Sequence, residues 1–342
     1  MHSKTSFFKN VLIQKAALRF WPAWTLYLIV LFFAVVIPIY NITPQEDDRA
    51  AFSYAIGYLE PGYHPVIIFC FAILFALLVF SWIYSARSCN MMHAFPFKRS
   101  QLFASHYLAG FLFLAIPQIL IFLAAMPGCL QAGVTPLIVL KCFLFALACD
   151  FIFFSIAALC CMLAGHLLSA LVYYLIFNSV CVIARMLFKG IYAIYGYGLQ
   201  DISIAATDKG DFLSPVVFIT SRCGIGHNRE GRSVGAMAGS VHIEGVLALL
   251  CFCAAAVLVF IAAMYLYKIR QVECAGEMSA FRAVNPIIRW IVTFCCGIAT
   301  AVFLTEVLFD KGFTPGTFPQ MVILTIVFSL VWYLVSEMVL KK

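Results

Sequence analysis

Apolar residues in this chain gather into runs of about 20, separated by short polar or charged stretches. At ~1.5 Å per helical residue, such a run crosses the ~30 Å hydrocarbon layer of a bilayer. The pattern predicts about eight spans: Trp21 to Tyr40, Pro65 to Tyr84, Ser105 to Met126, Leu137 to Ala164, Leu168 to Ile191, Gly245 to Tyr267, Trp290 to Phe309 and Phe318 to Glu337. Trp21, Trp24 and Tyr40 sit at the ends of the first span, where interfacial aromatics belong. Ahead of it, residues 1–20 set Phe7, Phe8, Val11, Leu12 and Leu18 against Lys4, Lys9, Lys15 and Arg19, the pattern of a basic amphipathic helix on a membrane surface. No small-residue cleavage site follows, so this is not a secretory signal. Residues 41–64 read as an acidic connection interrupted by Pro44 and Pro61. Pro117 predicts a kink in the third span, and Gly165-His166 a very tight turn into the fifth.

Composition agrees with this reading. The chain has 342 residues, 64% hydrophobic and 11% charged, with a mean hydropathy of +1.02. A soluble domain is about 45–50% apolar and about 25% charged. The fold class is therefore an all-α polytopic membrane protein with an N-terminal amphipathic helix. Lys and Arg concentrate at both termini and in the loops after the second and sixth spans, which predicts cytoplasmic N- and C-termini. Membrane topology thus accounts for the net charge of +7, and no nucleic-acid partner is expected. The 14 cysteines lie mostly in apolar runs without metal-ligand spacing, so no zinc or disulfide framework is expected. A bridge between Cys129 and Cys223, both in loops on the outer side, stays open. The chain divides into the interfacial helix 1–20, a six-span core 21–267 and a C-terminal part 268–342. The core carries a basic loop at 85–103 and an outer polar segment at 195–244, and the C-terminal part comprises a cytoplasmic loop and two more spans.

Motifs for zinc hydrolysis, a nucleophile elbow or a phosphate-binding loop are absent from the sequence, and no activity as an enzyme is expected. Gly224-Ile225-Gly226-His227 lacks the lysine of a phosphate loop and reads as a flexible turn. Ionisable groups inside the spans carry more information, because they are costly there unless paired or facing water. Asp150 and Arg185 fall on helices made antiparallel neighbours by the Gly165-His166 turn and are expected to pair. Such a pair either lines a translocation path or simply holds two helices together. Asn178, Gln118 and Glu306 are further intramembrane polar candidates.

The loop between the second and third spans mixes Met91, Met92, Phe95 and Phe97 with Arg87, Asn90, His93, Lys98 and Arg99, and Pro96 breaks it. Arg87 is expected to close one helix and Ser100 to cap the next. The loop reads either as a docking surface for another protein, to which Met adapts well, or as a basic turn on lipid headgroups. Its residues Asn90-Met91-Met92-His93-Ala94-Phe95-Pro96-Phe97-Lys98-Arg99, with Tyr107-Leu108-Ala109-Gly110 beyond, resemble permease subunits of ABC-2-type ABC transporters. Ala94-Phe95 stands where Ser-Leu is more usual in that family. A second similar stretch begins Arg270-Gln271-Val272-Glu273 and includes Phe281 and Pro286.

The resemblance implies a coupling helix in this loop that docks into a separate ATP-binding subunit, with Arg87, Asn90, Met91, Met92, His93, Phe95, Pro96, Lys98 and Arg99 as contacts. It further implies that ATP and Mg are held by the partner subunit, with no cofactor on this chain. A second permease, identical or homologous, would complete an exporter in a bacterial plasma membrane, among membrane lipids. The two C-terminal spans are additional to the family's six-span core. A rival reading from the residues alone is a secondary transporter or channel that uses Asp150, Arg185 and Glu306 as its ion relay.

Overall fold

The structure, a computed structural model, describes residues 10–42, 48–179, 214–226, 234–277, 279–281 and 318–340, with scattered positions between 286 and 304. A short helix α1 (Asn10–Arg19) leads into α2 (Trp21–Tyr40). Helix α2 loosens into a π turn at Phe32–Val36, just before Pro38, which has no N–H to return to the preceding turn.

The acidic connection expected at residues 41–64 is instead largely a helix, α3 (Asp48–Tyr63). It buries Phe52, Ala55, Ile56, Leu59 and Tyr63, a spacing that forms one helical stripe, and this outweighs the prolines and carboxylates that suggested a loop. Only His64 separates it from α4 (Pro65–Val79). His64 is extended and its Nδ1 accepts from the Val66 N–H at 3.4 Å, while Pro65 occupies the first turn, where a missing N–H costs nothing.

After a 3-10 turn at Ser81–Tyr84 come α5 (Ala86–His93), α6 (Arg99–Gln131) and α7 (Pro136–Leu163). Next are α8 (Leu167–Ser179), α9 (Pro215–Arg222) and α10 (Val234–Ser240). Helix α11 (Val246–Ile269) follows, and α12 (Phe318–Leu340) lies near the end of the chain. Among the described residues five helical stretches are long and apolar enough to cross a membrane: Trp21–Tyr40, Asp48–Val79, Arg99–Gln131, Pro136–Leu163 and Val246–Ile269. The chain is a helical, membrane-spanning protein.

Helix α7 is the centre of the bundle and packs against α4, α6 and α11. Small buried residues along it, including Ala146, Cys149, Ala157 and Cys160, let neighbouring backbones approach. On α6, Gly110 serves the same end: a Cβ there would run into the Phe154 ring. Pro117 and Pro127 both lie inside α6, which continues through them.

Two expectations about the polar loops change. Gly224–Gly226 is not a flexible turn but a strand, β1, paired antiparallel with β2 (His242–Glu244). Gly226 fits because the Glu244 side chain lies where a Cβ would stand, whereas a Cβ on Gly224 would meet nothing. Cys129 and Cys223 are both free thiols, so no bridge joins them.

Candidate functional site: a short helix beside an arginine-tied junction

Helix α5 has eight residues and is too short to persist alone in water. Ser85, extended, precedes it, so Arg87 opens this helix instead of closing the one before. Ser100 does not cap the next helix either. That position is Lys98, whose N–H donates to Oε1 of Gln101 at 3.3 Å.

Packing of the inner face holds α5 in place. Cys89 is buried, and Met92 and His93 are half-buried. The His93 ring meets Trp82 edge-on at 5.9 Å and stacks on Tyr267 of α11 at 6.1 Å. Burial, and then the nearby Arg99 charge, hold the His93 imidazole below its ordinary value, so the neutral ring is the form that packs. Burial pushes the Cys89 thiol up, which makes it unreactive. The outer face presents Arg87, Asn90 and Met91, three and four residues apart, and the chain beyond it exposes Phe95, Pro96 and Lys98. Met91 and Phe95 are 61% and 46% exposed, a high fraction for apolar side chains with polar neighbours.

Arg99 is exposed, yet its Nη1 donates to the Lys268 carbonyl at 2.9 Å and the Arg270 carbonyl at 3.0 Å. It thereby ties the start of α6 to the end of α11. From that end the buried Arg270 side chain reaches the C-terminus of α7. There its Nη1 donates to the carbonyls of Cys161 (3.1 Å), Met162 (2.9 Å) and Ala164 (2.7 Å). The last carbonyls of a helix have no partner within it and carry its negative dipole end, so a cation is well placed there. Burial draws the Arg270 guanidinium below its ordinary value, but a guanidinium keeps its proton in proteins.

The segment after Arg270 closes the same junction. Gly276 N–H donates to the Gly165 carbonyl at 2.9 Å and Ala280 N–H to the Leu163 carbonyl at 2.8 Å. A side chain on Gly165 would strike the carbonyls of Cys274 and Glu277, so the tight turn predicted at Gly165-His166 is a seat for this segment. The two arginines therefore tie together the start of α6 and the ends of α11 and α7, while α5 itself is seated on this junction by Cys89 and His93. Arg99 appeared among the sequence candidates for a different purpose. Arg270 appeared in the basic loop after the sixth span and as the first residue of the second family-like stretch, with no role of its own, though its place just past the end of an apolar run was a usable signal.

The intramembrane candidates fall into two groups. Gln118, just after Pro117, is buried and its Nε2 donates to Tyr27 Oη at 3.1 Å and to Asp150 Oδ1 at 3.2 Å. This joins α2, α6 and α7 midway along α7. Asp150 Oδ2 and Gln118 Oε1 are buried and have no hydrogen-bond partner among the described residues. Asn178, also buried, uses its Nδ2 on the carbonyl of Tyr174 in its own helix at 2.9 Å. Arg185 and Glu306 lie outside the described residues, so the expected Asp150–Arg185 pair lies outside them too.

At the other end of α4 a polar cavity of ≈ 280 Å³ opens under the β-hairpin, with Glu60, His64, Arg222 and Glu244 in its wall. Among the described residues no group of three or more His, Cys, Asp or Glu could hold a metal ion. No protein-family model, curated protein or solved structure matches the chain.

Proposed function

We propose that this chain is the membrane-spanning subunit of an ATP-driven exporter of the ABC-2 type, and that α5 is its coupling helix. One observation carries the reading: α5 exposes Arg87, Asn90 and Met91, with Phe95 exposed just beyond it, while its other side packs through Cys89 and His93 onto a junction where Arg99 and Arg270 tie α6, α11 and α7 together. An element built this way can take a push from outside and pass it to α7 and α11 with little lost in side-chain slack. Apolar and Met-rich side chains on a short helix suit a hydrophobic groove on a partner.

In this reading ATP and Mg belong to a separate ATP-binding subunit, and a second permease completes the complex. On the same reading the chain has eight spans in a bacterial plasma membrane, and the excess of Lys and Arg on the side of α5 and both termini makes that side cytoplasmic. Closure of the ATP-binding subunits displaces α5, and α6, α7 and α11 tilt as levers. A lipid-like, peptide or drug-like substrate suits so apolar a bundle.

The test is co-purification with transport. Met91→Asp together with Phe95→Asp changes two exposed side chains, leaves the bundle intact and should abolish both retention of an ATPase and substrate export. A tagged chain that never retains an ATPase, and that transports equally well with both substitutions, refutes the reading.

A second reading rests on Gln118, Asp150 and Tyr27. A buried carboxylate with one unpaired oxygen is a natural element of an ion relay. In that case Asp150→Asn abolishes proton- or sodium-coupled flux in vesicles free of nucleotide, and the Met91 and Phe95 substitutions change nothing.

A further inference from the structure

Between α1 and α5 lies a cleft of ≈ 410 Å³, within the usual ~300–1,000 Å³ of small-ligand sites. Leu12, Ala16 and Phe20 form one wall, and Trp82, Met92 and Phe97 belong to the other. Among the described residues, the charged side chains lining it are Lys15 and Arg19, both cationic and both exposed, and no carboxylate lines it. These two are four residues apart on α1 and so share one face of that helix.

The position of the cleft is informative. Helix α1 ends two residues before the first span begins, and the cleft reaches from Lys15 and Arg19 to Val79, the last residue of the helix that follows Pro65. It therefore joins the cationic face of α1, beside the start of the first span, to an apolar wall that includes Val79, Trp82, Met92 and Phe97. An amphiphile with an anionic head and an apolar tail has matching chemistry at both places. A neutral peptide segment has no use for the two cations, and a soluble anion has none for the apolar walls.

We propose that this cleft binds an anionic phospholipid, with one acyl chain between α1 and α5 and the phosphate on Lys15 and Arg19. Such a lipid would bridge the N-terminal helix to the helix that carries Met91 and Met92, and the anionic lipid content of the membrane would then set how firmly α5 is seated. The site needs no second subunit, so it stands or falls separately from the ATP-driven reading.

The test uses the full chain alone in phosphatidylcholine nanodiscs with a trace of phosphatidylglycerol or phosphatidylcholine carrying a diazirine on its acyl chain. Photo-adducts are mapped by mass spectrometry. Each basic side chain at an anionic membrane surface is worth about fivefold in affinity, so two give a preference of about 25-fold for the phosphatidylglycerol probe at Trp82, Met92 and Phe97. K15Q or R19Q alone should remove about fivefold of it, and the pair should bring the two probes level. Leu247 and Leu258 on the exposed face of α11, 78% and 69% exposed, should label equally with both probes in every variant, which certifies an embedded and folded chain. Equal labelling of the cleft by both probes, a preference that survives the double substitution, or adducts only outside the cleft would overturn the proposal.

Discussion

Replacing Arg270 with alanine isolates what the arginine clasp contributes. Its Nη1 faces three carbonyls but has two hydrogens, so two full hydrogen bonds are the most it makes at once. Hydrogen bonds from a charged donor contribute about 1.5–3 kcal/mol each. The lower figure applies, because Nη2 is buried with no hydrogen-bond partner among the described residues and its lost hydration offsets part of the gain. Two bonds at that value give about 3 kcal/mol, or about 100-fold in a local opening equilibrium. The amides that report it are Gly276 and Ala280, whose donors bond the carbonyls of Gly165 and Leu163 on the other side of the junction. Hydrogen exchange of the purified chain should therefore speed up about 100-fold at those two amides in Arg270→Ala. Amides in the middle of α7 should not change. Arg270→Lys should fall between, since an ammonium reaches one or two carbonyls without the planar fork. Acceleration of less than about threefold at Gly276 and Ala280 would show that the segment is held by its own backbone bonds and that the guanidinium is incidental.

Three other outcomes follow from the packing. Gly110→Leu forces a side chain into the Phe154 ring, and overpacking of this kind costs about 1–3 kcal/mol, to be read as a lowered unfolding midpoint. Gln118→Leu removes the donor shared by Tyr27 Oη and Asp150 Oδ1 and should destabilise by about 2 kcal/mol, whereas Asp150→Asn keeps an acceptor for Gln118 and stays near the parent in the same unfolding assay. For His93 the sign is set by its lowered value in the fold: the unfolded ring gains its proton near pH ~6.5, and the folded ring resists it. The seating of α5 is therefore complete above that pH and weakens as pH falls through it; exchange of the α5 amides should rise on acidification in the parent but not in His93→Gln.

Part of this architecture was legible in the sequence for a simple reason. The hydrocarbon layer fixes how long an uncharged run must be, so Trp21–Tyr40 and Pro136–Leu163 emerge within a residue or two of their expected ends. Helix α3 was hidden because its apolar stripe is interleaved with carboxylates and prolines, and only a count at helical period separates it from a loop. Strand β1 was hidden because its partner, His242–Glu244, lies beyond another helix in the chain and strand pairing is not local. Gln118 and Asp150 were both singled out, since polar groups stand out in an apolar run. Their partner Tyr27 was not, because a tyrosine in a span carries no mark of what lies 91 residues away. The clasp was least legible of all, since Arg99 and Arg270 address backbone oxygens, which every residue type supplies alike.

That last property sets where this junction is vulnerable. Exchanging the amino acids at positions 161, 162 and 164 for others of similar size leaves all three acceptors in place, whereas losing the guanidinium at 270 removes every donor in a single step. Engineering of this end of the molecule therefore has wide freedom on one side of the contact and almost none on the other.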